Sequence, residues 1–418
     1  MSFDISYFYF LIITFMNSNN NAIYLDHSAT TPVDKAVLKA MLPYFSQTYG
    51  NPSSIHSFGQ AAQAGVELAR GQVAEFLNCL AGEIIFTSGA TEADNLAVFG
   101  TVSALIQNNQ GEKIHVITSA IEHPAILEPF HQLESRGVLV TYLPVKKNGV
   151  VDLEIFKKAI EPNTVFVSIM YVNSEVGSIQ PIREIGKIIE KINRARNKEN
   201  NRHKIYFHTD AVQSLNFLNC DVKNLRVDLL SLSGHKIYGP KGVGALFVKA
   251  GTPANGVQLG GHHEKNLRSG TLNVPGIVGL GEAVKICAAN QEKNNKNILK
   301  LRNKFVAEIK RLVPKIIINT DIKNSTPSHA NISFAQAEGE SILIALDLAG
   351  VAVSTGSACA SESLKASPVL KAMGIEDEIA HSTIRFTFGK NNTEAEVEAV
   401  LKIIPPIIKR LRRMAPEL

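Results

Sequence analysis

The amino-acid sequence predicts an α/β fold: a large domain with a mostly parallel sheet covered by helices, followed by a smaller C-terminal α/β domain. Three observations predict it. Short β-branched and aromatic runs alternate with helical stretches through the first part of the chain, and strands separated by helices pair in parallel with both faces covered. Near Val274-Pro275 the pattern changes to one long helical stretch and a second set of short strands. The chain has 418 residues, 45% hydrophobic and 19% charged, which suffices for one large and one smaller core in an ordinary globular protein.

The N-terminus comes first. The apolar run Tyr7 to Phe15 is nine residues long, too short to span a bilayer. Asp4 stands where a secretory signal would carry positive charge, and the Asn-rich stretch after Met16 offers no small-residue cleavage site. Residues 1–21 therefore read as an extension outside the fold, with Met16 the working start. The large domain is expected over 22–275. Within it, 83–86 reads as a strand entering a Gly-containing turn, with a helix from Thr91. A strand at 114–118, a turn at Glu122-His123-Pro124 and a helix from about Ala125 follow. Further strands are expected at 164–170, 205–208, 227–231 and 244–248, with a helix at 182–195. The small domain, 276–418, opens with a helix over 276–312 and takes strands at 330–334, 351–354 and 383–388.

Charge and cysteine usage exclude several functions. The net charge is +5. The one basic run, Lys409, Arg410, Arg412 and Arg413, reads as the solvated face of a last helix, so no stable nucleic-acid partner is expected. No segment calls for a membrane. Cys79, Cys220, Cys287 and Cys359 include no C-x-x-C pair, which argues against a disulfide framework or a zinc site and for a reducing compartment, the cytoplasm. The first three sit in apolar or helical surroundings as core thiols.

Several strand ends carry reactive groups, and an open α/β sheet gathers ligands beyond the carboxyl ends of its strands. Pyridoxal phosphate (PLP) requires a lysine amine, an acid beside its pyridine nitrogen, a flat group against its ring and an anion site for its phosphate. Lys236 lies in Ser233-Gly234-His235-Lys236, directly after a strand; alone it would be a solvated loop lysine. Asp210 ends another strand, with Gln213 three residues on; alone it would be a capping Asp. Thr87-Ser88-Gly89-Ala90-Thr91-Glu92 joins strand to helix, so backbone N–H groups, the Thr91 hydroxyl and the helix dipole suit a phosphate. It is not a Walker loop, since no Gly-Lys pair ends it. His123 can stack on a ring and shuttle protons near neutrality. Their joint placement decides the matter.

These segments resemble the cysteine desulfurases of the NifS/IscS family, within the fold-type-I PLP enzymes, from about Tyr24 to Ala415. The stretches that carry the resemblance include Leu25-Asp26-His27-Ser28-Ala29-Thr30-Thr31-Pro32, Asp210-Ala211-Val212-Gln213-Ser214, Arg268-Ser269-Gly270-Thr271, Ser357-Ala358-Cys359 and Ser382-Thr383-Ile384-Arg385-Phe386. The resemblance implies that Lys236 holds the cofactor covalently, Asp210 faces its pyridine nitrogen, Gln213 its phenolic oxygen, and His123 its ring. Ala90, Thr91, Ser233 and His235 would hold the phosphate, joined by Thr271 from a second subunit of a homodimer. Arg385 would clamp the substrate carboxylate, a bidentate task suited to Arg.

One position departs from the family. Its Asn-Asn-Glu is here Asn173-Ser174-Glu175, so Ser174 stands where an Asn is expected near cofactor and substrate, and Asn173 is expected to bind the substrate beside it. Cys359 has small neighbours, Ser357, Ala358, Ala360 and Ser361, suited to a thiol that swings out to an acceptor; the resemblance makes it the nucleophile of the first desulfurase group. The implied reaction takes sulfur from L-cysteine, releases L-alanine and leaves a persulfide on Cys359 for a sulfur-acceptor protein. That acceptor is an iron–sulfur scaffold or a tRNA- or cofactor-thiolation enzyme. Longer family members dock the scaffold through a tail beyond the last helix, whereas these residues end at Pro416-Glu417-Leu418. The rivals are a selenocysteine lyase, an aminotransferase, which would need no Cys359, and a silent scaffold, which would bind no PLP.

Overall fold

The computed structural model describes residues 22–108, 112–198, 203–356 and 366–414. The extension 1–21 and Cys359 lie outside the described residues. The described chain opens with a short strand, β1 (Ile23–Tyr24). Seven strands then form the large sheet: β2 (Ile84–Thr87), β3 (His115–Ser119), β4 (Leu139–Leu143), β5 (Thr164–Ser168), β6 (Tyr206–Asp210), β7 (Leu229–Ser233) and β8 (Gly244–Val248). Their order is β2-β8-β7-β6-β5-β3-β4. Only β8 runs against its neighbours, with Gly244 opposite both Thr87 and Ser233. The carboxyl ends of β2, β3, β5, β6 and β7 therefore share one rim.

Period-two alternation sends side chains to both faces of this sheet. Ile84 and Phe86 of β2 join the core under the helices α1 (Ser57–Leu77), α4 (Ile182–Lys198) and the first part of α5 (Val274–Leu312). Ile85 instead joins the opposite core, under α2 (Ala90–Asn95) and α3 (Pro124–Ser135). With both faces covered, β3, β5 and β7 are buried along their whole length, which is why they read as continuous apolar and β-branched runs.

The second lobe differs in detail from the expected strands. β9 (Ile316–Ile318), β10 (His329–Phe334) and β12 (Thr383–Thr387) form an antiparallel sheet in the order β12-β10-β9. The stretch expected as a strand over 351–354 forms only β11 (Val351–Ala352), which pairs in parallel with β1. Leu25 accordingly packs in the second core with Phe305, Phe334 and Phe386. α5 serves both cores: Ile277 and Leu280 pack in the first, Leu301 and Phe305 in the second. The last helix, α6 (Glu394–Met414), exposes Lys409, Arg410 and Arg413, while Arg412 is half-buried and donates to the carbonyls of Ala335 and Lys315. Cys220 and Cys287 are buried, but Cys79 is only half-buried, just past the left-handed Asn78 that ends α1.

Candidate active site

The rim encloses a cavity of about 780 Å³ whose walls include Ser28, Thr91, His123, Asp210, Lys236 and Arg385. Residues up to 357 apart in sequence thus meet because strand ends, the 28–31 segment and β12 converge there. Lys236 sits in the tight turn Gly234–Lys236 that leaves β7. The turn is pinned by Gly234 N–H donating to Val243 O and by the Asn216 amide donating to Lys236 O at 2.7 Å. Lys236 Nζ donates to the carbonyls of Ser28 (2.6 Å) and Ala29 (2.8 Å).

Asp210 closes β6 and is buried, with Oδ1 accepting from Val212 N–H at 2.9 Å. Burial raises its pKa, while His123 and Lys236 pull it back. Gln213 donates to Ser28 O at 2.9 Å. His123 caps α3, its Nδ1 accepting from Ala125 N–H at 3.1 Å. That bond leaves the proton of a neutral imidazole on Nε2. Burial lowers the His123 pKa, Asp210 raises it and Lys236 lowers it again.

Ser88, Ala90, Thr91, Ser233 and His235 line one end of the cavity. The Ser88 N–H already donates to Glu92 at 2.7 Å, and Glu92 pairs with Arg268 at 2.8 Å. His235 Nδ1 lies 3.1 Å from Thr30 Oγ1, and burial pushes its pKa down to about 4. At the other end, Arg385 Nη2 meets Asp26 Oδ1 at 2.8 Å and Nη1 donates to Ser174 O at 3.2 Å. Its Nε is buried with no partner among the described residues. Ser174 and Asn173 line the cavity. The Asn173 amide is committed to backbone: Nδ2 donates to Ile121 O (3.1 Å), and Oδ1 accepts from the Glu175 and Val176 N–H groups (2.9 and 3.0 Å). It shapes the loop that presents Ser174.

One expected residue is not at the cavity of this chain. Thr271 is exposed and lines a separate surface hollow with Tyr44, Tyr49 and Pro52. Of the cysteine segment, only Gly356 is described at the cavity wall. Conversely, sequence reasoning assigned no role to Asp26, Ser28, Asp94, Glu122 or Glu175. Asp94 lines the same cavity; burial, then Asp210, hold its carboxyl well above the usual range. Burial likewise pushes Glu122 up to about 8. A signal was available for Glu122, beside His123, and for Asp94, one helical turn beyond Thr91.

The donor set fits pyridoxal phosphate: a lysine amine, a buried acid, an imidazole and a helix start, with the partnerless Arg385 Nε matching an amino-acid carboxylate. Comparison with known proteins agrees. Residues 23–400 match the family model for class-V aminotransferases. The cysteine desulfurase IscS of Dictyoglomus turgidum is 44% identical over 394 residues, covering 94% of this chain and 96% of the relative. A solved NifS-like protein superposes with a TM-score of 0.85 at 37% identity, over 93% of this chain and 100% of that one. The solved complex of SspA with cysteine gives a TM-score of 0.75 at 35% identity, over 89% and 100% of the two chains.

Proposed function

The chain belongs to the class-V aminotransferase family, and from that premise we propose that it is a PLP-dependent cysteine desulfurase that takes sulfur from L-cysteine onto Cys359. The observation that carries the reading is the convergence of Lys236, Asp210, His123 and Arg385 on one cavity. When bound, PLP supplies the electron sink that makes the substrate's Cα proton removable and its C–S bond breakable.

The chain's residues supply the rest. Lys236 Nζ would hold the cofactor and, once the substrate amine has displaced it, would take the Cα proton. Asp210 would face the pyridine nitrogen, where burial strengthens the pairing of opposite charges. Gln213 would meet the phenolic oxygen, and His123 would lie against the ring with its Nε2 proton available for transfer. Ala90, Thr91, Ser233 and His235 would take the phosphate. Arg385 receives the substrate carboxylate, held ready by Asp26 and the Ser174 carbonyl. The Cys359 thiolate then attacks the substrate sulfur. The C–S bond breaks, an S–S bond forms, Cβ keeps the electron pair and is protonated, Cα regains a proton, and alanine leaves while Cys359 carries a persulfide.

Residues 22–275 act as the cofactor-binding domain and 276–418 as the domain carrying the cysteine. A homodimer completes the site through Thr271. Tyr49 of the Thr271 hollow is exposed and lies against exposed Phe58, and Leu42, Phe45 and Ile55, close to them in sequence, are exposed as well, Ile55 at 92%, apolar side chains of the kind that partners cover. The persulfide passes to a protein acceptor, an iron–sulfur scaffold or a thiolation enzyme, in the cytoplasm. No helix among the described residues is long and apolar enough to cross a membrane.

The test is product analysis. With L-cysteine and a reductant, the enzyme should release alanine and sulfide, and Cys359→Ala should release neither at comparable rate. Release of a keto acid would make it an aminotransferase.

A further inference from the structure

The loop 173–178 connects the rim of the large sheet to both lobes. The Ser174 carbonyl accepts from Ser28 Oγ (2.7 Å), Arg385 Nη1 (3.2 Å) and His329 Nε2 (3.3 Å). That carbonyl therefore fixes the guanidinium that meets the substrate. The next residue, Glu175, is 7% exposed. Its main chain is fixed on both sides: its N–H donates to Asn173 Oδ1 at 2.9 Å and its carbonyl accepts from Asn331 Nδ2 at 3.2 Å.

The Glu175 carboxylate touches two places that are remote from it in sequence. Ser367 Oγ donates to Oε2 at 2.6 Å. Gly356 approaches so closely that a Cβ there would lie 2.3 Å from the same oxygen, so a side chain at 356 would displace the carboxylate. Gly356 and Ser367 flank the stretch that contains Cys359. Ser367 is further committed as the cap of the short helix Pro368–Ala372, its Oγ accepting from Leu370 N–H at 3.2 Å. A carboxyl buried at this depth is costly unless its contacts return the cost. Burial pushes the Glu175 pKa up to about 7, with Ser367 and Arg385 pulling it down. An apolar side chain would fill the space without that penalty, yet could not accept the Ser367 hydroxyl.

We propose that Glu175 is a positioning residue for sulfur transfer, tying both flanks of the Cys359 segment to the loop whose Ser174 carbonyl holds the substrate clamp. Both flanks of the segment and the substrate clamp are thereby referred to one frame, and placement of reacting groups by remote residues is worth large factors in rate. The proposal rests on the reading of Cys359 as the sulfur acceptor.

Single-turnover formation of the Cys359 persulfide tests it, followed beside cysteine binding read from the cofactor absorbance. Glu175→Ala should slow persulfide formation by about tenfold or more, the loss of one hydrogen bond to a charged group, while the dissociation constant for cysteine stays within about twofold. Glu175→Gln keeps an acceptor for Ser367 and should restore the rate to within about threefold of the parent. Gly356→Ala should slow the step in the parent and add little in the Glu175→Ala background, where the opposing oxygen is gone. Parent-like persulfide formation in Glu175→Ala overturns the proposal, as does a Gln variant as slow as the Ala variant, or fully additive effects of the two substitutions. A parent enzyme that releases alanine without any persulfide on Cys359 overturns the reading of Cys359 and this proposal together.

Discussion

Replacing Arg385 by lysine keeps the charge at the proposed substrate clamp and removes its geometry. The guanidinium has five N–H donors; one goes to Asp26 and one to the Ser174 carbonyl, and the buried Nε is among those left over. It can therefore stay anchored while presenting a fork to a carboxylate. A lysine ammonium has three donors and no fork. With two spent on Asp26 and Ser174, it offers the substrate one contact in place of two. Losing one charge-assisted hydrogen bond costs about 1.5–3 kcal/mol, roughly 10- to 150-fold in kcat/KM. The carboxylate is gripped alike before and during reaction, so the loss should fall on KM, with kcat little changed. Alanine formation across a range of L-cysteine concentrations measures it, with an aminothiol lacking the carboxylate as control. An unchanged KM for cysteine, or an equal loss of affinity for the control, would refute the assigned role.

Other perturbations reach the remaining parts of the account. Ser174→Asn restores the family's amide at the cavity wall and should lower KM for cysteine about 2- to 12-fold, the range of one net hydrogen bond; an unchanged steady-state KM would remove residue 174 from substrate binding. His208 is fully buried between Ser168 and Ser231, and burial pushes its pKa down to about 3. The folded protein then refuses a proton that the unfolded chain takes below about 6.5, so this histidine's contribution is intact above that pH and is lost as pH falls toward 3. Buried acids such as Glu122 act in the opposite sense. The urea stability of His208→Asn relative to the parent isolates the effect: it should rise by about 1.4 kcal/mol per pH unit on acidification from pH 6 to 5, and a pH-independent difference contradicts it. Ile55→Glu puts a charge beside an exposed apolar side chain cluster and should convert the proposed dimer to monomers with weaker cofactor retention. Sedimentation showing a parent-like dimer would count against that surface.

Much of the large domain was legible because its strands are buried on both faces and punctuated by turns, so that 244–248 and the strand ends at Asp210 and Lys236 stand out. The helix Ser57–Leu77 was not. Its contacts depend on small residues, with Gly281 of α5 seated against Ala69 and Gly65 against Tyr44, and such close packing leaves little apolar contrast in sequence. β4 lies at the sheet edge with mixed exposure and gave a weak pattern for the same kind of reason. Pairing was also hidden: nothing local to Ile23–Tyr24 announces Val351–Ala352 as its partner. At the site, the reactive side chains were readable as strand-end motifs. Their supports were not, because Asp26, Ser28 and Glu175 act through contacts spanning 146 to 359 residues.

The central claim, that sulfur from cysteine comes to rest on Cys359, is most directly tested by intact-protein and peptide mass spectrometry. The holoenzyme would be exposed to stoichiometric L-cysteine without reductant. The account predicts a gain of one sulfur atom, located on the Cys359 peptide and absent from Cys359→Ser, with alanine released in equal amount. Alanine released while the Cys359 peptide stays unmodified would contradict it.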